Sequence, residues 1–330
     1  MRFADISGHK GEIRVLTRSV AGGHVAHAYL FSGPEGVGKG LVALGLAAAL
    51  NCTEPASDGD SCGRCPDCRA VAGGAHARVV RVEPDEGVIR IERVREVAEG
   101  LRYRIDRGRK VVIVDDADRL HPSAANCFLK TLEEPPPASV IILVTPRATE
   151  LLPTIISRCQ RLNFRPLAQG AVKDHLVSVH GVAPEAALLA ARLSGGSISG
   201  ALRYIEEGGA ERRREVVELV SSLDPSDAAS ILDAAGHLSK RDDLPEVLEV
   251  LKGWYRDRAV SAEGAPELVD GEAAVPWGGG PEGFSGLYES FRAVEEARGE
   301  ITPPRYANRL LTMEALLLRI VGGAGAGGRG

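Results

Sequence analysis

Aromatic side chains are scarce in this chain, at 4% of 330 residues, although 44% of the residues are hydrophobic. Its cores must therefore be packed mainly from Ala, Leu and Val. Charge of one sign is also lacking: 40 Lys and Arg stand against 45 Asp and Glu, for a net charge of −5. That balance excludes a general coat for polyanions, so any nucleic-acid contact is local or made through a partner. Long apolar runs are absent. The longest, Leu41 to Leu50, is too short to span a bilayer. No basic-then-apolar segment opens the chain, which predicts a cytoplasmic protein. In that reducing compartment the six cysteines point to metal or buried thiols more than to disulfides. The length implies two or three domains.

The first half alternates strand and helix patterns. "AYLFS" (28–32), "RVVRVE" (78–83), "KVVIVD" (110–115), "VIILVT" (140–145) and "RLNF" (161–164) read as strands. The unbroken apolar run Val111 to Val114 suits a parallel sheet covered on both faces. Helices are predicted over Lys39–Leu50, over Ile91–Leu101 with Ile91, Val94, Val97, Ala98 and Leu101 on one face, and over Pro122–Glu134. This alternation marks an α/β domain. From about Pro166 the strand signals stop. Three short helices are predicted in 168–208, and helices again beyond 207. The Gly/Pro/Glu-rich stretch 261–286 reads as a mobile loop, and the glycine-rich tail 322–330 as disordered.

"GPEGVGKG" (33–40) carries Gly33, Gly38 and Lys39 in the spacing of a phosphate loop, with Gly36 inside it. It follows a predicted strand and opens a predicted helix, where backbone N–H groups cradle phosphate and the lysine reaches the β/γ oxygens. The pattern breaks at Gly40. A working loop needs Ser or Thr there, because the hydroxyl holds Mg²⁺. Asp115 and Asp116 follow "KVVIV" at the sheet's C-terminal edge, the ligand side of α/β folds. Asp115 suits an Mg²⁺-organising role through water. Asp116 stands where related ATPases carry a longer Glu, and a misplaced base costs orders of magnitude in rate. The alternative, a solvated acidic turn at a strand end, fits Asp118 better than Asp115. Thr145 ends the next strand beside the same edge. Arg158, in "SRC", reads by itself as a surface charge.

Cys52, Cys62, Cys65 and Cys68 form C-x9-C-x2-C-x2-C, enough thiolates for a closed tetrahedral zinc site. Disulfides are the rival reading. His76 lies nearby and is not needed; Cys127 reads as packing, and Cys159 is assigned no chemistry.

Five stretches together resemble one family: "HAYLFSGPEGVGKG" (27–40), "CGRCPDC" (62–68), "VVIVDDADRL" (111–120), "FLKTLEEPPP" (128–137) and "LLPTIISRC" (151–159). They are similar to the AAA+ clamp-loader subunits of bacterial DNA polymerase III, on the delta-prime branch. The resemblance is close over residues 1–206. It implies an AAA+ P-loop α/β domain over 1–165 with an inserted zinc module at about 52–76, a three-helix lid over 166–206 and a helical collar over 207–321. It implies partners, namely tau/gamma and delta subunits in a five-membered ring, and through them the sliding clamp and primer-template DNA at replication forks. It also changes the weight of Arg158, since in that family the arginine of "SRC" reaches a neighbour's ATP as an arginine finger. The departures are Gly40, Asp116, Pro146 after Thr145, Ser199 where a lid arginine is expected, and "HAR" (76–78) without the usual Pro-Asp. The losses at the nucleotide site, Gly40, Asp116 and Ser199, predict a degenerate site, with ATP/Mg²⁺ binding weak or absent and no hydrolysis of its own. The rivals are an active tau/gamma-type motor and a small-substrate P-loop kinase; the kinase leaves "LKTLEEPP" and "SRC" unexplained.

Overall fold

A computed structural model describes residues 2–103, 105, 107–264, 283–301 and 307–322. Its chain contacts divide into two compact units, Met1–Arg203 and Tyr204–Gly330. The predicted loop 261–286 and tail 322–330 lie mostly outside the described residues. None of the described helices is long and apolar enough to cross a membrane.

In the first unit the elements run α1 (Lys10–Ala21), β1 (Ala28–Ser32), α2 (Lys39–Asn51), α3 (Pro66–Ala72), β2 (Val79–Val82), α4 (Ile91–Arg102) and β3 (Lys110–Val114). They continue with α5 (Pro122–Glu133), β4 (Ser139–Thr145), α6 (Pro153–Ile156), β5 (Gln160–Asn163), α7 (Gln169–His180), α8 (Pro184–Leu193) and α9 (Ile198–Glu206). The strands form one sheet in the order β2-β3-β4-β1-β5, with every pairing parallel. Alternate side chains of each strand feed opposite faces. Tyr29, Phe31, Val111, Ile113, Val140 and Ile142 share a buried cluster with Leu16 of α1 and Val42 and Leu46 of α2. Leu30, Val112, Val114, Ile141 and Leu143 share the other with Val94 and Val97 of α4 and Phe128 and Leu132 of α5. Burial on both faces explains why these strands are apolar runs rather than alternating ones.

The five strands and three first-half helices lie where the sequence pattern puts them, within about two residues. Contact grouping places α7 and α8 with the sheet and passes its division through α9. Two helices carry weaker signals. α1 buries only Leu16 fully. α3 is a seven-residue helix inside the cysteine segment, and its N-cap is the thiol of Cys65 accepting from the Cys68 amide, not one of the usual oxygen caps.

In the second unit, from Tyr204, the regular elements among the described residues are all helices: the end of α9, then α10 (Gly209–Ser221), α11 (Ala228–Ser239), α12 (Leu244–Ala262), α13 (Phe284–Ile301) and α14 (Arg309–Gly322). Its core centres on Trp254, Tyr255, Leu248 and Leu251 of α12. α12 packs on α10 and α13, and α14 on α11 and α13. Asp227 caps α11 by accepting from the Ala229 and Ser230 amides.

Candidate nucleotide cleft and cysteine centre

The parallel register brings Ser32 beside Thr145 and Val82 beside Val114, so the loops after β1, β2, β3 and β4 meet at one edge. There they line a cleft of ≈ 780 Å³ that includes Gly36, Gly38, Lys39, Gly40, Asp115 and Asp116. Gly33, at φ 148, passes so close to the Phe164 carbonyl that a Cβ would sit 2.1 Å from its oxygen. Gly36, at φ 74, is equally confined. Its carbonyl accepts from the Ile198 amide at 3.0 Å, and a Cβ there would meet the hydroxyls of Ser197 and Ser199 at 2.1 and 2.0 Å. The N-terminus of α9 therefore rests directly on the phosphate loop, and Ser199 brings no charge to it.

Lys39 is 5% exposed and turns back on its own loop, donating to the Gly33 and Pro34 carbonyls at 2.6 Å each. Burial pulls its ammonium below the ordinary lysine range, against the opposing pull of Asp116, Glu35, Asp118 and Asp115. Asp116 is held in the left-handed region at φ 46. Burial, then the nearby Asp118 carboxylate, raises its carboxyl above the usual range.

Three site residues are spoken for. Asp115 is the acceptor of a hydrogen bond from Arg81 Nε, on neighbouring β2. Thr145 is fully buried, and its hydroxyl donates to Asp118 at 2.7 Å. Asp118 is not a solvated acid: its side chain is 1% exposed and pairs with Arg147 at 2.7 Å. Burial makes it a structural acceptor that joins the ends of β3 and β4. Arg81 is the residue that sequence reasoning missed. Its signal is a lone charge inside "VVRV", in register with Ile113.

Magnesium does not fit this cleft. An octahedral Mg²⁺ site is usually assembled from a loop hydroxyl, a carboxylate and phosphate oxygens. Gly40 has no hydroxyl. A Cβ placed on it would lie 3.6 Å from Asp115 Oδ1, so the two positions face each other, but the other oxygen of Asp115 is taken by a guanidinium.

Arg158 does not line this cleft. It sits just beyond α6, its side chain 35% exposed, with Nη2 donating to Glu133 Oε1 at 2.8 Å and Nη1 to the Thr154 carbonyl at 2.9 Å. One partner comes from "LEEPP" and the other from α6, just before "SRC". Cys159, beside it, packs on the α5 face of the sheet as Cys127 does, and burial pushes its thiol up to about 11.

The cysteine centre begins where α2 ends. Cys52 is the C-cap of that helix, and its Sγ lies with those of Cys62, Cys65 and Cys68 within 4.8 Å of one another. Cys52–Cys65 and Cys62–Cys68 are each 4.0 Å apart. Tetrahedral thiolates at about 2.3 Å from a zinc ion lie roughly 3.8 Å apart, whereas a disulfide needs about 2.05 Å. The four cysteines can thus hold one metal ion. The amides of Cys62, Cys65 and Cys68 donate to the sulfurs of Cys52, Cys62 and Cys65 at 3.3–3.4 Å, an arrangement that favours thiolates. Burial opposes the Cys65 thiolate, but hydrogen bonds from Thr53 and Cys68 prevail and bring it to about 6. His76 is not among the four. Its Nε2 faces Asp67 Oδ1 at 3.1 Å, and Asp67 also takes Arg78 and Arg107.

Comparison with known proteins adds the lineage to this geometry. The family model described as "DNA polymerase III, delta subunit" matches residues 8–168. A DNA polymerase III subunit delta' from Pseudomonas aeruginosa is 32% identical over 307 residues, 89% of this chain and 91% of that protein. The chain belongs to the delta' family of DNA polymerase III clamp-loader subunits. A delta' subunit from Bacillus subtilis is 32% identical over 212 residues, 64% of each chain. The tau subunit of Escherichia coli is 31% identical over 243 residues, 70% of this chain, which spans 38% of that longer protein. Among solved structures, a gamma subunit-related protein from Thermotoga maritima aligns over 94% of this chain and 98% of its own, at 20% identity and a TM-score of 0.45.

Proposed function

We propose that this clamp-loader subunit takes the delta-prime position in a five-membered ring, where it completes a neighbour's ATP site and hydrolyses none itself. One observation carries the reading: Arg158 is fixed by Glu133 and Thr154 outside the chain's own cleft, in a chain whose cleft fits no Mg²⁺. An arginine delivered to a neighbour's γ-phosphate stabilises charge on the transferring group and is worth about 10³–10⁵ in rate. Lys39, in contrast, hydrogen-bonds its own loop carbonyls, and the chain supplies no water-activating Glu at Asp116 and no lid arginine at Ser199. Residues 166–206 serve as the lid and 207–321 as the collar. Tau/gamma and delta are the ring neighbours, and sliding clamp and primer-template DNA are reached through the complex in the cytoplasm. The cysteine centre holds one structural Zn²⁺ through Cys52, Cys62, Cys65 and Cys68.

The test is ATP turnover of reconstituted complexes, with assembly checked by size-exclusion chromatography. Arg158→Ala is expected to assemble and to lose most clamp- and DNA-stimulated hydrolysis. Arg158→Lys is expected to rescue poorly, because an ammonium lacks the guanidinium's forked donors. Wild-type turnover in an assembled Arg158→Ala complex removes the trans role. Sustained hydrolysis by the isolated chain would return it to the tau/gamma-type motors that it also resembles.

A further inference from the structure

The disagreement between this cleft and magnesium has a chemical counterpart in Arg81. Its strand position shares the α2 side of the sheet with Val79, Val111 and Ile113; Val111 and Ile113 are buried in that face's core, and Val79 packs against it. At the strand's C-terminal end Arg81 instead turns to Asp115 and forms part of the cleft lining together with Lys39 and Gly40. Its Nε also lies 3.1 Å from Glu83 Oε1. Among the described residues its two Nη groups have no hydrogen-bond partner, so the donors not used on Asp115 remain for a ligand.

A divalent cation at a phosphate loop neutralises the carboxylate that follows β3 and presents positive charge to the ligand's terminal oxygens. Arg81 supplies the neutralisation from within the chain and offers its Nη hydrogen-bond donors, rather than a second charge, to those oxygens. Its guanidinium neutralises Asp115, and its planar fork suits phosphate oxygens. Metal entry is opposed twice over, because it must displace a charge-assisted hydrogen bond and finds no hydroxyl at Gly40. We infer that this cleft is a magnesium-independent anion site in which Arg81 stands in for the metal, and that its ligand class is the free pyrophosphate group of a nucleoside di- or triphosphate. The inference rests on the reading of the cleft as a non-hydrolysing descendant of an ATPase site. It adds that the site is rebuilt, rather than merely emptied.

The experiment is calorimetric titration of the full-length chain with ADP and ATP, once in EDTA and once in excess Mg²⁺. The expected dissociation constants agree within about threefold between the two conditions. Arg81→Ala is expected to weaken binding at least tenfold in EDTA. Because it frees Asp115, it is also expected to make the residual binding improve on adding Mg²⁺. Asp115→Asn, which leaves Arg81 in place without its internal partner, is expected to tighten metal-free binding. Thermal melts confirm that each variant is folded. Binding by the wild type only in Mg²⁺ overturns the inference, as does no binding in either condition. So does a folded Arg81→Ala variant that binds like wild type. None of these outcomes touches the Arg158 reading, which is read from a neighbour's turnover in the assembled ring.

Discussion

Gly40 and Asp115 face each other across a gap that a side chain can fill, since nothing lies closer than 3.6 Å to a Cβ at Gly40. Gly40→Thr is therefore expected to fold as well as the parent, with a modest gain from replacing a glycine within a helix. It is not expected to restore catalysis. Arg81 still holds Asp115, and the left-handed Asp116 is still one methylene short of the glutamate that positions water. Steady-state ATP turnover of the purified variant checks this, and a rate approaching that of a working clamp-loader ATPase refutes it. At this scale the residues with motif spacing were legible, because phosphate cradles and metal knots demand fixed offsets between named residue types. Arg81 and Asp118 were not. Their roles come from pairing across strands, Arg81 with the end of β3 and Asp118 with the end of β4, and no local spacing encodes that.

Helix α3 and the turns around it owe their shape to sulfur. The Cys65 thiol caps the helix, and Asp60 joins the segment to the chain's start by accepting from the Phe3 and Ala4 amides. Purified protein is expected to hold one Zn²⁺ per chain. Chelation, or Cys65→Ser, is expected to unfold residues 52–76 locally and to leave the sheet intact, because binding free energy at such a centre is local folding free energy. Metal analysis with amide hydrogen exchange reads both halves of the prediction; full zinc in Cys65→Ser, or loss of protection in β1 and β4, contradicts it. In the second unit, a charge cluster joins α10 to the start of α12: Asp243 takes Arg212 and Arg241, and Arg241 takes Glu215. The hydrogen bond from Arg241, opposed by burial and helped by Arg212, lowers the Asp243 carboxyl from its ordinary value of 3.8. A lowered folded-state value means stability that is present above about pH 4 and lost as pH falls through the folded value. Asp243→Asn is expected to cost about 1 kcal/mol at neutral pH. The gap from wild type should narrow steadily in thermal melts below about pH 4; a gap that stays constant there disproves the linkage. The five strands and helices α2, α4 and α5 could be read from periodicity, whereas beyond residue 207 only a general helical character could, and α1 was not anticipated. α3 could not be read either, since its cap is a thiol and its length falls below the window in which a helical period shows.

At the scale of the whole molecule, the two units rest on different cores. The sheet unit is packed from strand aliphatics on two faces, whereas the helical unit is organised around one α12 segment with Trp254 and Tyr255 fully buried. Trp254→Ala is expected to cost about 3–5 kcal/mol, as large aromatic truncations do, and to lower the melting of the helical unit first. Calorimetry should then resolve two transitions, with the higher one unchanged and still sensitive to zinc removal; a single shifted transition rejects independent cores. Length anticipated more than one domain, and the end of strand signals near Pro166 anticipated helices in the later part. The boundary expected after residue 206 lies three residues from the division at Arg203 and Tyr204; α9 begins against the phosphate loop at Gly36 and runs on without a break to Glu206, and a continuous helix leaves no linker signature in sequence.

The pairing of Arg81 with Asp115 also bears on the lineage's history. A lost hydroxyl alone is a reversible accident, one substitution away from repair. Once an internal guanidinium has settled on the carboxylate, that repair confers nothing by itself. Removing the arginine first leaves Asp115, with a side chain only 14% exposed, without its counter-charge. The route back to a motor therefore descends before it climbs. On the proposed reading, the pair would act as a ratchet that keeps this subunit a static member of its ring, whatever the single mutations that arise at Gly40.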